Sequence, residues 1–312
     1  MSPQRVAVTG ATGLIGPPLI AALRERGREI TVLTRDPARA RERLDGVELD
    51  AVAWDPLAEP APASALAGCD AVVHLAGAPV AQRWSEAAKR AIRDSRVRGT
   101  RNLLEGLRRA GEADASARPR TLVSSSAIGY YGAHGEEPLD EDAPPGGDFL
   151  ARVCVEWEAE AARAAELGMR VVQVRTGVVL DSAGGALSKM LPAFRLGLGG
   201  PLAGGRQYIS WIHSDDLRGL ICAALEDERW SGAVNATAPE PVPNRDFTRV
   251  LGRVLRRPAL FPVPAAALRL LYGEMAEILT TGARVVPAKA LVLGHEFRHP
   301  QLEQALRSTL TR

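Results

Sequence analysis

The sequence predicts an α/β fold, a doubly wound parallel sheet carrying a smaller, mainly helical lobe. Three observations lead there. Short apolar runs alternate with helical patterns from residue 5 to about residue 180. The runs are apolar along their length rather than every second residue, as strands covered on both faces require. The alternation then gives way to a glycine-rich stretch and a largely helical end.

Taken in order, Arg5–Thr9 is a strand ended by Gly10. Leu14–Arg26 reads as a helix, with Leu14, Ile15, Leu19, Ala22 and Leu23 as its apolar stripe and Gly27 closing it. Pro17 and Pro18 fit only because they fall in its first turn. Glu29–Leu33, Val47–Ala53 and Ala71–Leu75 are strands two to four. A long helix spans Ser85–Ala110, Arg120–Val123 is the fifth strand, Val153–Leu167 is helical, and Arg170–Val174 is the sixth strand. Crossovers between parallel strands are right-handed, which winds the sheet in both directions. Glycines crowd residues 184–205 around a helix near Leu187–Phe194. A helix at Asp215–Leu225 and a strand at Ala233–Asn235 return to the sheet, and the chain from Pro262 onward is mainly helical. The expected division is a nucleotide-binding domain of residues 1–180, rejoined by 212–236, and a second lobe of 181–211 and 237–312.

Composition narrows the function. The 312 residues are 46% hydrophobic and 24% charged with a net charge of +2, so a soluble globular protein is expected and no basic face for nucleic acid. No apolar run nears the roughly 20 residues of a membrane span. The N-terminus runs straight into Val6-Ala7-Val8, so no signal peptide is expected. Cys69, Cys154 and Cys222 are far apart, which argues against a disulfide framework or a Cys-based metal site and for a reducing cytoplasm. No metal is expected. A small molecule is the expected partner, and a homodimer stays open.

The first turn carries the chemistry. It reads Thr9-Gly10-Ala11-Thr12-Gly13-Leu14-Ile15-Gly16, a GxxGxxG loop between the first strand and first helix. There the chain must turn sharply and let a pyrophosphate approach its backbone, and the helix N-terminus offers N–H groups and partial positive charge. At the end of the second strand an acid would bond the ribose hydroxyls of NAD, whereas an arginine favours the 2′-phosphate of NADP. Arg35 occupies that position beside Thr34, with Arg39 nearby, so NADP(H) is the expected cofactor. A strand end one residue later would instead put Asp36 in the pocket; otherwise Asp36 caps a helix before Pro37.

These residues carry a family resemblance. The glycine loop, Leu75-Ala76-Gly77, Arg98-Gly99-Thr100-Arg101-Asn102-Leu103-Leu104, Ser124-Ser125-Ser126 and Trp211-Ile212-His213-Ser214-Asp215-Asp216-Leu217 resemble extended short-chain dehydrogenases/reductases. Ala53-Trp54-Asp55-Pro56, Ile128-Gly129-Tyr130-Tyr131-Gly132, Cys154-Val155-Glu156-Trp157-Glu158 and Arg175-Thr176-Gly177-Val178-Val179-Leu180 are similar to an atypical subgroup, the SDR39U1-like or YfcH-like epimerase-family proteins. The segments from Arg257-Pro258 to Arg284-Val285-Val286-Pro287 look like that subgroup's small C-terminal domain of unknown function. The resemblance covers essentially the whole chain. It implies a Rossmann fold and NADP binding, with no known substrate. Gly10, Thr12, Gly13, Leu14, Ile15, Thr34, Arg35, Leu75, Ala76, Gly77, Ser124, Cys154 and Gly177 are the expected cofactor contacts.

Active members of the wider family use a tyrosine as general acid/base, a lysine four residues on that lowers its pKa, and a serine. None of Tyr130, Tyr131, Tyr208 and Tyr272 is followed at that spacing by Lys89, Lys189 or Lys289, the chain's three lysines. The tyrosine position reads Leu150 and the lysine position Cys154. Ser126, with Tyr130 and Tyr131 on the following loop, are the candidate catalytic residues, for an oxidoreductase or epimerase-like enzyme. A cofactor-binding sensor without turnover is the alternative. His213 with Asp215 and Asp216 reads either as a helix start or as metal or acid/base chemistry. His74 reads as a packed side chain, and Arg83-Trp84, Ser95-Arg96, Gln207 and Trp211 as possible neighbours of the site.

Overall fold

The computed structural model describes residues 4–113 and 118–311. Seven parallel strands form one sheet: β1 (Arg5–Thr9), β2 (Glu29–Thr34), β3 (Asp50–Ala53), β4 (Ala71–His74), β5 (Thr121–Ala127), β6 (Arg170–Thr176) and β7 (Gly232–Ala236). Their order across the sheet is β3-β2-β1-β4-β5-β6-β7. The winding reverses between β1 and β4, and ligands of such sheets bind outside the strand ends at that reversal.

Two helical layers cover the sheet. Val6 and Val8 of β1 face one core with Leu19 and Ile20 of α1 (Gly16–Glu25), Ala40 of α2 (Pro37–Arg43), and Leu217, Leu220 and Ile221 from a later helix. Ala7, between them, faces the other core with Leu66 of α3 (Ala63–Leu66), Leu103 and Leu107 of α4 (Glu86–Ala113), and Ala161 of α5 (Phe149–Ala162). This period of two, with both faces apolar, is why the strands read as continuous apolar runs. Burying a leucine such as Leu103 contributes about 2 kcal/mol. The second lobe has its own core, in which Leu187, Leu191 and Phe194 of α6 (Gly185–Arg195) meet Trp211, Phe247, Leu251 and Leu306. Its contributors are α8 (Asn244–Leu255) and α12 (Leu302–Leu310); α7 (Ser214–Glu226) carries the chain back to β7. Short helices α9 (Ala265–Tyr272), α10 (Ala276–Thr280) and α11 (Ala288–Val292) fill the C-terminal segment.

Several boundaries differ from expectation, each for a local reason. β5 runs on through Ser124, Ser125 and Ser126, because these pair in register with Gln173, Val174 and Arg175. β3 begins only at Asp50, where pairing with Thr31 starts. α5 begins at Phe149 rather than Val153, because Asp148 caps it, accepting from the Ala151 amide at 2.8 Å. α2 is the helix that Asp36 caps before Pro37, whereas α8 was not expected; it carries a regular stripe of Phe247, Thr248 and Leu251.

Candidate cofactor site and adjoining cavity

The three loop glycines answer different demands. Gly10 has φ of +69°, and a Cβ there would lie 2.6 Å from the Leu75 carbonyl carbon, where the ends of β1 and β4 meet. A Cβ on Gly16 would lie 2.1 Å from the Ala11 carbonyl oxygen, so helix-to-loop packing requires it. Gly13 is exposed, has no positive φ, and a Cβ there would meet only the Gly10 oxygen, at 3.2 Å. The fold itself therefore demands glycine at Gly10 and Gly16 far more than at Gly13. The α1 N-terminus, at Ile15, has no side-chain cap, and Pro17 and Pro18 have no N–H. The loop thus fits an anion pressed against Gly13 and the amides ahead of α1.

At the end of β2, Asp36 is engaged and, among the described residues, Arg35 is not. Asp36 caps α2, its Oδ1 accepting from the Arg39 amide at 3.0 Å, and its own amide donates to Thr34 Oγ1 at 3.3 Å. Arg35 and Arg39 are exposed, and among the described residues neither guanidinium has a hydrogen bond or ion pair. Two unpartnered cations at this strand end match a 2′-phosphate better than a bare ribose.

Leu75, Ala76 and Gly77 are positioned by a chain of buried hydrogen bonds. Thr100 donates to the Arg96 carbonyl at 2.6 Å and so accepts from His74 Nε2 at 3.2 Å. That tautomer leaves His74 Nδ1 to accept from Thr9 Oγ1 at 2.7 Å, and Thr9 Oγ1 accepts from the Ala76 amide at 3.3 Å. The chain ties β1, β4 and α4 together beside the glycine loop. Burial holds His74 neutral, its pKa lowered to about 4 from 6.5. The unfolded chain binds this proton more readily, so the stability is complete above about pH 6.5 and is lost as pH falls toward 4. We expect His74 to account for about 2 kcal/mol of acid destabilisation between pH 7 and pH 5. Urea melts of wild type and His74→Leu across that range check this: the variant starts less stable but has a flatter pH profile. Parallel profiles would refute it.

At the end of β5, Ser126 Oγ donates to Glu158 Oε1 at 2.6 Å. Glu158 also receives Arg175 in a two-point contact, at 2.9 Å from Nε and 2.8 Å from Nη2. Arg175 Nη1 donates to the Tyr131 hydroxyl at 2.9 Å, which donates to Asn235 Oδ1 at 2.7 Å. The Tyr130 ring covers the guanidinium, 3.4 Å from ring centre to Cζ. Tyr131 is fully buried, and burial pushes its pKa up to about 12. Ser126, Tyr130 and Tyr131 thus converge on one buried ion pair under the Ala127–Gly132 turn. Ser124 is buried on the Ser125 carbonyl at 3.3 Å.

A cavity of about 370 Å³ lies between this turn and the second lobe. Leu150 and Cys154, at the two positions where a tyrosine and a lysine were sought, both line it. Burial, with the charge of Glu158, pushes Cys154 up to about 12, so its thiol stays protonated at neutral pH. Gly177 lines the wall as well; a Cβ there would lie 2.5 Å from the Ser210 carbonyl oxygen. Arg96 and Trp84, expected as site neighbours, do line it, as does Gln207. Trp211 instead packs in the lobe core with Nε1 on the Glu240 carbonyl at 3.1 Å. Met190, Phe247, Ile278 and Leu279 join the wall from three separate segments. Sequence reading missed them, because nothing local to any one segment marks it as a neighbour of the others. Leu14 joins the two sites, since its side chain packs where Gly184 and Gly185 begin α6.

His213 caps α7, its Nδ1 accepting from the Asp215 amide at 3.0 Å, and stacks on His299 at 3.8 Å. Asp215 pairs with Arg218 at 3.0 Å, and Asp216 accepts from the amides of Arg298 and His299. These groups clip the C-terminal segment to the start of α7.

No described helix is long and apolar enough to cross a membrane. Among relatives, the chain is 41% identical over 310 residues to "Epimerase family protein SDR39U1 homolog, chloroplastic" of Arabidopsis thaliana, covering 99% of this chain and 87% of that protein. It is 37% identical to human epimerase family protein SDR39U1, covering 97% of this chain and 99% of that protein. The crystal structure of human SDR39U1 (isoform 2) with NADPH superimposes with a TM-score of 0.85 at 34% identity, covering 99% of each chain. Residues 263–309 match a domain of unknown function, DUF1731. With residues 6–236 matching the model of the NAD dependent epimerase/dehydratase family, and full-length relatives agreeing, the chain belongs to that family.

Proposed function

We propose that this protein binds NADP(H) at the glycine loop and carries out an oxidoreductase or epimerase-like reaction on a small molecule held in the adjoining cavity. The observation that carries the cofactor is the pair of unpartnered guanidiniums, Arg35 and Arg39, beside a glycine, Gly13, that the fold alone does not require. The NADPH in the human relative's structure supports the same reading. A nicotinamide cofactor, once bound, supplies or accepts a hydride. The chain's own residues bind and orient it: Gly13 and the uncapped α1 amides take the pyrophosphate, Arg35 the 2′-phosphate, and Leu75–Gly77 the flank set by His74. Ser126, Tyr130 and Tyr131 shape the Ala127–Gly132 turn through Glu158 and Arg175. Of the three, Tyr130 is the only one not buried, and none of the three lines the cavity, so they act on it through the turn they support. We place the protein in the cytoplasm, in keeping with its three free, buried cysteines.

A second reading, cofactor binding without turnover, is favoured by one observation: Leu150 and Cys154 offer the cavity no group that releases a proton near pH 7. The two diverge in one assay, NADPH oxidation against a panel of carbonyl compounds. Turnover of any of them decides for the enzyme; binding of NADPH with none turned over decides for the sensor.

The cofactor assignment has its own test. Arg35→Ala should lower the preference for NADPH over NADH by roughly 10–100-fold, the worth of one charge-assisted hydrogen bond. Calorimetric titration with both cofactors measures it, and an unchanged ratio would remove Arg35 from the site.

A further inference from the structure

The cavity's wall says what kind of molecule it takes. It is built mainly from Trp84, Leu150, Val153, Leu187, Met190 and Phe247. Its polar side chains are mostly engaged with backbone. Ser210 Oγ donates to the Ala283 carbonyl at 2.7 Å and accepts from the Val285 amide at 2.9 Å. Gln207 Nε2 donates to the carbonyls of Leu202 and Leu279, and Asn244 Oδ1 accepts from the Leu202 amide. A hydroxyl-rich or doubly charged ligand would lose its water here without enough partners in exchange.

One charged group departs from this pattern. Arg96 is largely buried, and among the described residues no carboxylate pairs with it. Its Nη1 is fixed by the carbonyls of Ala78, at 3.1 Å, and Ile92, at 3.0 Å. Trp157 lies against the guanidinium, 5.1 Å from Cζ to ring centre, and a Cβ on Gly77 would come within 3.3 Å of Cζ. The group is clamped, while Nε and Nη2 make no hydrogen bond among the described residues. The other charged residues of the wall are Asp148, which caps α5 through Oδ1, and Glu277, which is exposed. A fixed guanidinium with one edge of two N–H donors open is the complement of a carboxylate.

Resting on the reading of the cavity as the substrate site, we propose that its ligand is a monocarboxylate with an apolar body, its carboxylate received by Arg96 and its body by the Leu150–Met190–Phe247 wall. The volume of about 370 Å³ suits such a compound, at the small end of the roughly 300–1,000 Å³ typical of ligand sites.

The test uses the full chain without cofactor, so that cavity binding is read apart from NADPH. Decanoate, decanol and UDP-glucose are titrated by calorimetry, with tryptophan fluorescence followed in parallel, since Trp84 lines the cavity and Trp157 touches Arg96. Decanoate should bind about tenfold or more tighter than decanol, one charge-assisted contact's worth, and UDP-glucose should not compete. Arg96→Gln should erase the preference for decanoate while leaving decanol and NADPH affinity in place. Equal binding of decanoate and decanol by wild type would overturn the proposal without any variant. So would UDP-glucose displacing decanoate, or Arg96→Gln weakening NADPH and sparing decanoate. A separate NADPH titration of wild type reports on the cofactor reading, so failure of one is not mistaken for failure of the other.

Discussion

Glu158→Ala is expected to cost about 3–5 kcal/mol of folding stability, the usual result of stripping one partner from a buried ion pair. Glu158 and Arg175 are only 9% and 5% exposed at their side chains. The loss is large because three hydrogen bonds, from Arg175 and Ser126, end on the carboxylate. Arg175 would keep its charge in the interior, covered by Tyr130, and Ser126 would lose the acceptor of its hydroxyl. Against a total stability of roughly 5–15 kcal/mol, that is about a fifth or more of what holds the domain. Urea denaturation measures it. Adding Arg175→Leu should recover part of the loss, because the double variant leaves no uncompensated charge. A cost under about 1 kcal/mol for Glu158→Ala would mean that water reaches the pair and that the turn above it does not depend on it.

Gly13→Val should abolish measurable NADPH binding while leaving the fold intact. The valine side chain would stand where the pyrophosphate must approach, removing at least two charge-assisted hydrogen bonds of roughly 1.5–3 kcal/mol each, about 100-fold or more in affinity. Its Cβ meets nothing closer than the Gly10 oxygen at 3.2 Å, a tight contact that a small shift relieves, so the loss of thermal stability should be modest. Gly16→Ala is the control with the opposite expectation. Its Cβ would fall 2.1 Å from the Ala11 oxygen, so the variant should be strongly destabilised. Retained NADPH affinity in folded Gly13→Val would reduce the loop to a structural turn.

Much of the sheet was legible because a parallel strand buried on both faces writes itself as an apolar run, as at Val6–Val8 and Val72–Val73. The far end of β5 was not legible on those terms. Ser124–Ser126 look like loop, yet they pair with β6, and the partner that keeps Ser126 dry is Glu158, a residue on another element. The glycine loop and the candidate Arg35 were picked out because both depend on local spacing. The cap made by Asp36 was also in view, since Asp36-Pro37 is a helix-start signature. The stripe of α8 is equally local, with Phe247, Thr248 and Leu251 on one buried face. Arg96 is a different case. Among the arginines of α4 it differs only in lying beneath Gly77 and against Trp157, contacts that exist once β4, α4 and α5 are assembled. The cavity wall, drawn from Met190, Phe247 and Leu279, belongs to the same class of facts.

The packing of Leu14 against Gly184 and Gly185 places one side chain between the glycine loop and the start of α6. Leu14 follows Gly13 in the glycine loop, while the helix opening at Gly185 presents Ala186, Leu187 and Met190 to the cavity. A shift of α6 that suits one occupant would bear on the other through this contact. Linkage makes the exchange reciprocal: whatever factor the dinucleotide adds to the affinity of the cavity's guest, the guest returns to the dinucleotide.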